Sequence, residues 1–552
     1  MLDAVSNDKK IVIEWGFFGL IEFLISESRN IQKKSALEIG SSHGNHTKIM
    51  RHFGLSVDQI DKYENNAEIN NDFNTYNFKR KYDVIFCSHV IEHQRNVGFF
   101  LDKIFDTLTD NGVLVISGPK HPAERFVEGH IQSTIMPIFL QNLIFAGFDC
   151  KNAKILSMAG IENSFVIKKS KDFNRKERIK SNYKWTKKHQ NRSFVKLIEK
   201  NVIKNDCLFV KNCKIWKLEN LGKNELEEYP STDVALSLNF PNDYEYKDFT
   251  IDFIIDGQFF LFDQNKNILS DNKTRIVQLK IEVMKKNKDN QNNDIGVFAL
   301  IEFLISEKKN NKCKNVLLLG NFNNQHKTII KKFGFKIDEM SKRKISSIFH
   351  LKKFQKKYDA VICNHVIQYQ RNTGFFLDKI FDILNDEGVL VISGPKNSPE
   401  TLMEGQISTC ILPVLIQNLI YSGFDCKKGK MMSIGLFENS FIVPKGKYFD
   451  REERYETGFK WSENHRKGSP FELIAGKTIK NDVSFFNNCK VWKTKTFLSD
   501  SGNLKNGIVF NYPDKYQLRN IPFNFYVQKN IMFFDKDMIA LTSQNYKHEI
   551  MI

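Results

Sequence analysis

Cys-x-x-Cys spacing is missing from this chain: nine cysteines are scattered over 552 residues with none so paired. Zinc ribbons and a disulfide framework therefore have no support, and buried thiols in a reducing cytoplasm are the expected reading. Long apolar runs are missing too. No stretch reaches the roughly 18 uncharged apolar residues that a membrane span needs. The opening run MLDAVSNDKKIVIEWGFFGL is interrupted by Glu14 before it can form an export signal. A cytoplasmic, soluble, multidomain protein is expected, because a chain this long with 41% hydrophobic residues can bury several cores.

Acidic residues are in short supply relative to basic ones. Lys+Arg 82 against Asp+Glu 64 gives a net charge of +18, with basic density around Lys168–Lys204 and Lys285–Lys314. Such a balance attracts polyanions. The same chain is rich in Asn, Ile and Phe, so its lysines also fit a general coding bias, and no RNA- or DNA-binding signature accompanies them. Nucleic acid is an open but unfavoured partner.

What is abundant is self-similarity. Ile21–Glu27 (IEFLISE) returns as Ile301–Glu307, Gly98–Asp106 (GFFLDKIFD) as Gly374–Asp382, and Val113–Lys120 (VLVISGPK) as Val389–Lys396. The chain reads as a tandem duplication, in which residues kept by both halves report on fold and polar residues lost from one report on function. Each half reads as helix, then alternating strands and helices, then an aromatic, strand-rich tail. In the first, strands are expected at Ser35–Ile39, Val57–Asp61, Tyr82–Ser88 and Val113–Ser117, with helices at Asn45–Phe53, Val97–Leu108 and Ile135–Ala146. Asn111-Gly112 is read as a turn, and Cys150–Leu156 with Ser164–Lys168 as a closing strand pair. This is an α/β, doubly wound, largely parallel sheet, whose ligands sit at the carboxyl ends of the strands. The expected domains are 1–170 (α/β), 171–283 (small, β-rich), 284–294 (polar linker), 295–446 (α/β) and 447–552 (small, β-rich).

The first strand runs into Glu38-Ile-Gly40-Ser41-Ser42-His-Gly44 and a helix. Glycines there allow tight turning and close approach, and the helix presents backbone N–H groups to a polar ligand. The second strand ends at Asp61, where a carboxylate can accept hydrogen bonds from a ribose diol. Together they describe a nucleoside-containing cofactor, a dinucleotide or S-adenosyl-L-methionine. The third element discriminates. Three motifs, ALEIGSSHG, YDVIFCSHVIEH and LTDNGVLVISGP, stand in this order and are followed by EGH and a helix ending AGFD. Here the sequence resembles the class I S-adenosylmethionine-dependent methyltransferases of the type 11 or type 23 kind, over residues 16 to 168 and more faintly 295 to 444. The resemblance implies two Rossmann-like methyltransferase domains and S-adenosyl-L-methionine as cofactor. It places Glu38, Gly40, Ser41, Ser42, Gly44, Asp61, Ser88 and His89 around that cofactor; the residues themselves call for no metal. The interval from Asp61 to Asp83 is too short for a full helix and third strand, which leaves the adenine contacts unassigned.

Read against the first half, LLLGNFNN (317–324) replaces Glu38 by Leu318 and Gly44 by Asn324, and IDEMS replaces Asp61 by Ser341. Glu92-His93 become Gln368-Tyr369, His121 becomes Asn397 and His130 becomes Gln406, whereas Gly98, Gly112, Gly118 and Gly147 persist. Glu92, His93, His121 and His130 are thus the candidate groups that orient or deprotonate a methyl acceptor. His89 persists as His365, which favours a structural hydrogen bond. The expectation is an active first half acting on a small molecule or saccharide, with a degenerate second half packed against it. An RNA methyltransferase, against which the lack of an Asn-Pro-Pro-Tyr-type motif weighs, and a non-catalytic scaffold are the alternatives.

Overall fold

The computed structural model describes residues 16, 19–20, 22–24, 34–120, 127–158, 162–176, 178 and 185–193 around a first α/β body. Around a second it describes 299–300, 303, 314–322, 324–332, 334–341, 345, 349–395, 403–434, 438–447, 449–456 and 461–469, and beyond each body it places the backbone of short strands. The linker 284–294 and His121 lie outside the described residues. Two compact units result. Unit 1 takes in residues 1–122, 132–285 and 399–407; unit 2 takes in 123–131, 286–398 and 408–552.

Unit 1 begins with β1 (Ser35–Ile39), α1 (Asn45–His52), β2 (Ser56–Asp61), a two-residue β3 (Ile69–Asn70), β4 (Tyr82–Ser88), α2 (Val97–Thr107) and β5 (Leu108–Pro119). It continues with α3 (Met136–Ala146), β6 (Lys154–Met158), β7 (Glu162–Lys168) and α4 (Lys187–Asn191), then tail strands β8 (Cys213–Glu219), β9 (Ala235–Ser237) and β10 (Phe260–Phe262). The sheet order is β10-β9-β8-β6-β7-β5-β4-β1-β2-β3. Strands β1, β2, β4 and β5 are parallel, and β7 returns antiparallel to β5. Burial on both faces explains the unbroken apolar runs: Val84, Ile85, Phe86 and Cys87 of β4 are all 1% exposed or less. Helix α3 is buried all round and apolar except for Gln141 and Asn142. It starts with Pro137 in its first turn and stops at Gly147, whose φ of +102° is open to glycine.

Unit 2 repeats the order with β11 (Asn315–Gly320), α5 (Asn324–Lys332), β12 (Lys336–Met340), β13 (Tyr358–Asn364), α6 (Thr373–Ile383), β14 (Leu384–Pro395) and α7 (Leu412–Tyr421). After these come β15 (Lys430–Ile434), β16 (Glu438–Pro444), α8 (Arg451–Glu456), α9 (Glu463–Lys467) and β17 (Cys489–Trp492). Its sheet runs β12-β11-β13-β14-β16-β15-β17.

Three expectations change. Asn111-Gly112 is not a free turn: β5 passes through it as an irregularity, pairing Tyr82 with Leu108 and then Val84 with Val113. Cys150–Asn152 is a 3₁₀ turn capped by Asp149, so the strand after it starts at Lys154. The tails do not begin as separate β domains either. β8 pairs with β6 and β17 with β15, extending the α/β sheets. Residues 171–193 pack on the same body, since Arg178 donates to Asp102 and to the carbonyl of Phe145, and the His189 ring lies 4.9 Å from that of Phe145. Arg454, Asp378 and Tyr421 repeat that arrangement in unit 2. Cys87, Cys150, Cys363, Cys410 and Cys426 are buried free thiols, with burial pushing the Cys87 thiol well up.

Candidate functional site

The carboxyl edge of β1, β2 and β4 gathers most of the expected residues of unit 1. Gly40 follows β1 with φ +74°, and a Cβ there would stand 2.4 Å from Val90 Cγ2. Gly44 occupies the N-cap of α1 with φ +69° and so contributes no capping side chain. Between them Ser42 also has a positive φ, and its amide donates to Asp61 Oδ2 at 3.1 Å. That bond ties the glycine turn to the end of β2. Asp61 Oδ1 meanwhile accepts from the amides of Tyr63 (2.9 Å) and Glu64 (3.2 Å). Asp58, the neighbouring acid, is engaged by Arg80 and Tyr82; Asp338 is engaged likewise by Lys356 and Tyr358, which marks this contact as structural.

Beneath the turn, Glu38 is 1% exposed. Its Oε2 accepts from the Thr47 hydroxyl, and its Oε1 faces His46 Nδ1 at 3.5 Å. In unit 2 the acid and its partner have gone together, as Leu318 and Lys327. The Ser41 hydroxyl is buried and has no hydrogen-bond partner among the described residues.

Beyond β4 the Ser117 hydroxyl donates to Ser88 Oγ at 3.1 Å. His89 has φ +50°, and its Nε2 lies 3.0 Å from Glu162 Oε2, its Nδ1 3.4 Å from Glu92 Oε1. Burial works against the imidazolium, but the Glu162 and Glu92 carboxylates outweigh it and hold the pKa up at about 10. His365 has the same backbone (φ +49°) and the same partner, Glu438 at 3.1 Å. The shared arrangement supports a structural His89 over a cofactor contact. Glu92 and His93 share a 3₁₀ turn, with His93 Nε2 3.9 Å from Glu92 Oε1 and the backbone of Glu92 held by the Gln132 amide. His130 falls in the segment 123–131 and is described with unit 2, where its carbonyl accepts from Gln417 Nε2 at 3.1 Å.

Some residues were not singled out from the sequence. Glu162 accepts from the Gly16 amide and from Ser164 besides meeting His89. Its persistence as Glu438 was the available signal. Tyr63, 44% exposed, stands beside Asp61, and Asp72 follows β3. Neither belongs to a repeated motif.

Residues 18–135 match a methyltransferase domain. The family is Methyltransf_23, and the match spans β1 to β5 with the edge just described, well under half of the chain. No curated protein matches the chain. Among solved structures it is similar to the Burkholderia thailandensis 1,6-didemethyltoxoflavin-N1-methyltransferase with bound 1,6-didemethyltoxoflavin and S-adenosylhomocysteine, at 14% identity over 28% of this chain and 78% of that one, TM-score 0.24. It is similar to an Archaeoglobus fulgidus SAM-dependent methyltransferase at 13% identity, over 28% and 94% of the two chains, TM-score 0.24. A third is the N-methyltransferase NodS from Bradyrhizobium japonicum with S-adenosylhomocysteine, at 16% identity over 19% and 62%, TM-score 0.17. The methyltransferase-domain match and the mixed α/β sheet together fit a Rossmann-like, class I methyltransferase fold.

Proposed function

We propose that unit 1 is an S-adenosylmethionine-dependent methyltransferase for a small-molecule or glycan-type acceptor, and that unit 2 is a duplicated copy that has lost its donor site. One observation carries the reading. The Ser42 amide reaches Asp61, so the glycine turn and the second-strand acid form one unit of structure, and unit 2 has Asn324 and Ser341 where unit 1 has Gly44 and Asp61.

The residues fit such a cofactor. The turn at Gly40 and Gly44 brings bare backbone to the edge, Ser41 offers a buried hydroxyl, and Asp61 keeps lone-pair capacity beyond its three amide bonds. Tyr63 is exposed for stacking and Asp72 supplies an acid where adenine contacts are expected. S-adenosylmethionine, when bound, supplies an electrophilic methyl group on a sulfonium, itself a good leaving group. The chain's own part is to place the acceptor and take its proton. Glu92, 1% exposed, places a carboxylate 3.9 Å from His93 Nε2, where its charge favours the imidazolium formed when the ring takes a proton.

The basic patch does not favour RNA at this site. A cavity of about 640 Å³ lined by Lys151, Lys154, Lys168, Lys169, Lys171 and Arg192 opens beside Val113 and Lys168, at the opposite end of the β5–β7 pair from Pro119 and Glu162. Calorimetry with S-adenosylhomocysteine on the full chain tests the proposal: one site per chain is expected, lost on Gly44→Asn with Asp61→Ser, and unchanged binding by that double variant refutes it.

A further inference from the structure

The E-G-H motif is only partly explained by methyl transfer. Glu128-Gly129 persist as Glu404-Gly405, while His130 becomes Gln406. Residues kept in both halves call for a structural cause. It lies in the composition of the units, because the segment carrying the second Glu-Gly belongs to unit 1 and the segment carrying the first belongs to unit 2.

Inside unit 1, Gln141 sits in the middle of the otherwise apolar α3 and is 1% exposed. Its Oε1 accepts from the Gly405 amide at 2.9 Å, and its Nε2 donates to the carbonyls of Met403 (3.1 Å) and Gln406 (2.9 Å). Asn142 Nδ2 donates to the Ile407 carbonyl at 2.8 Å, and the Trp185 amide donates to Glu404 Oε1 at 2.7 Å. Trp185 Nε1 closes the set on Gln141 Oε1. Ile407 is 2% exposed in the apolar core of this unit.

Inside unit 2 the same set recurs with the roles exchanged. Gln417 Oε1 accepts from the Gly129 amide at 2.9 Å, and its Nε2 donates to Val127 and His130 carbonyls, both at 3.1 Å. Asn418 Nδ2 donates to Ile131 at 2.7 Å, the Trp461 amide donates to Glu128 Oε1 at 2.6 Å, and Trp461 Nε1 points to Gln417 Oε1. Ile131 is 3% exposed in this unit's core. Buried amides in an apolar helix are unfavourable unless hydrogen-bonded, and in both units a hydrogen-bonded Glu-Gly turn satisfies them.

We propose that residues 127–131 and 403–407 are exchanged straps: each half of the chain donates its Glu-Gly segment to the Gln-Asn-Trp site of the unit built mainly by the other half. Glycine is required because the strap lies against the glutamine side chain with φ of +80° at Gly129 and +73° at Gly405. The glutamate is required because it receives the tryptophan amide. The third residue meets the glutamine through its backbone carbonyl, a group that His130 and Gln406 share. The occupant of each site is a segment of this same chain.

The test is made on the full chain with a protease site inserted within residues 284–294. After complete cutting of the folded protein, the two fragments are expected to migrate together at the mass of one uncut chain, down to nanomolar concentration. Gln141→Leu with Gln417→Leu keeps the apolar surface and removes the grip, and should weaken the association of cut fragments roughly a hundredfold or more. Fragments of the parent protein that separate on cutting overturn the exchange. So does an uncut protein that runs as a dimer, which would mean straps passed between chains. Hydrogen exchange on the uncut parent gives a readout free of mutation: the Gly129 and Gly405 amides should be protected, and rapid exchange of both would also overturn the proposal.

Discussion

Units 1 and 2 differ in an instructive way. The groups that hold layers together recur almost bond for bond: Arg178 with Asp102 and Arg454 with Asp378, Lys169 on the Leu108 carbonyl and Lys445 on that of Leu384, His89 with Glu162 and His365 with Glu438. Several polar groups at the carboxyl edge do not recur. Glu38 and Thr47 give way to Leu318 and Lys327, Asp61 to Ser341, Ser88 to Asn364, Glu92 to Gln368. A sheet needs its buried ion pairs whether or not it binds anything, and the changes at that edge are the ones on which the proposed division of labour rests.

The largest effects should fall on what is shared. Arg178→Ala and Arg454→Ala each leave a largely buried aspartate facing apolar surroundings, and each should lower stability by about 3–5 kcal/mol. Denaturant unfolding checks this, and a clear inequality between the two would break the structural equivalence. Next in size, Gly44→Asn, which copies unit 2, should weaken S-adenosylhomocysteine binding by roughly a hundredfold, about 2.7 kcal/mol. Asn tolerates the left-handed backbone and its Cβ meets only the flexible end of Gln59, so melting temperature should shift little. A binding isotherm like that of the parent would argue against the glycine turn as the donor site.

A pH series sharpens the comparison further. The folded pKa of His89 is raised from 6.5 to about 10, so its contribution to stability is fully present below pH 6.5 and is lost as pH rises through about 10. Glu92→Gln removes one of the two carboxylates responsible. Unfolding free energies from urea titrations between pH 6.5 and 10 should then decline at lower pH in the variant than in the parent, a difference of about 1 kcal/mol; identical profiles would show that Glu162 alone sets the charge. Smallest of all, Arg80→Ala and Lys356→Ala remove half-exposed partners of Asp58 and Asp338, and each should change stability by less than about 1 kcal/mol.

Much of this was legible in the residues because burial writes strong patterns. β4 is apolar on both faces, and Tyr82–Ser88 is read from the sequence with the bounds it has in the structure. Gly40, Ser42, Gly44 and Asp61 are close in sequence and a single βαβ turn brings them together. Glu162 was missed for the opposite reason. It reaches His89 across 73 positions, and because both halves keep it, a comparison that looks for losses passes over it. β5 shows a third limit: Asn-Gly is a turn signal in isolation, yet strand pairing on both sides absorbs it as a bulge. The assignment of the two Glu-Gly segments was illegible in principle, since two similar segments suit two similar sites and nothing in composition says which fills which.

That assignment governs how the molecule is made. Helix α3 is complete once residue 146 has been synthesised, but the carbonyls that satisfy Gln141 and Asn142 lie 265 positions downstream. At a ribosome delivering about 5–20 residues per second, that interval is on the order of tens of seconds, during which α3 lacks the strap's share of its hydrogen bonds. On the proposed exchange, the first half therefore emerges with its Gln141 and Asn142 site still awaiting the strap, and a message truncated before residue 407 yields a unit without it.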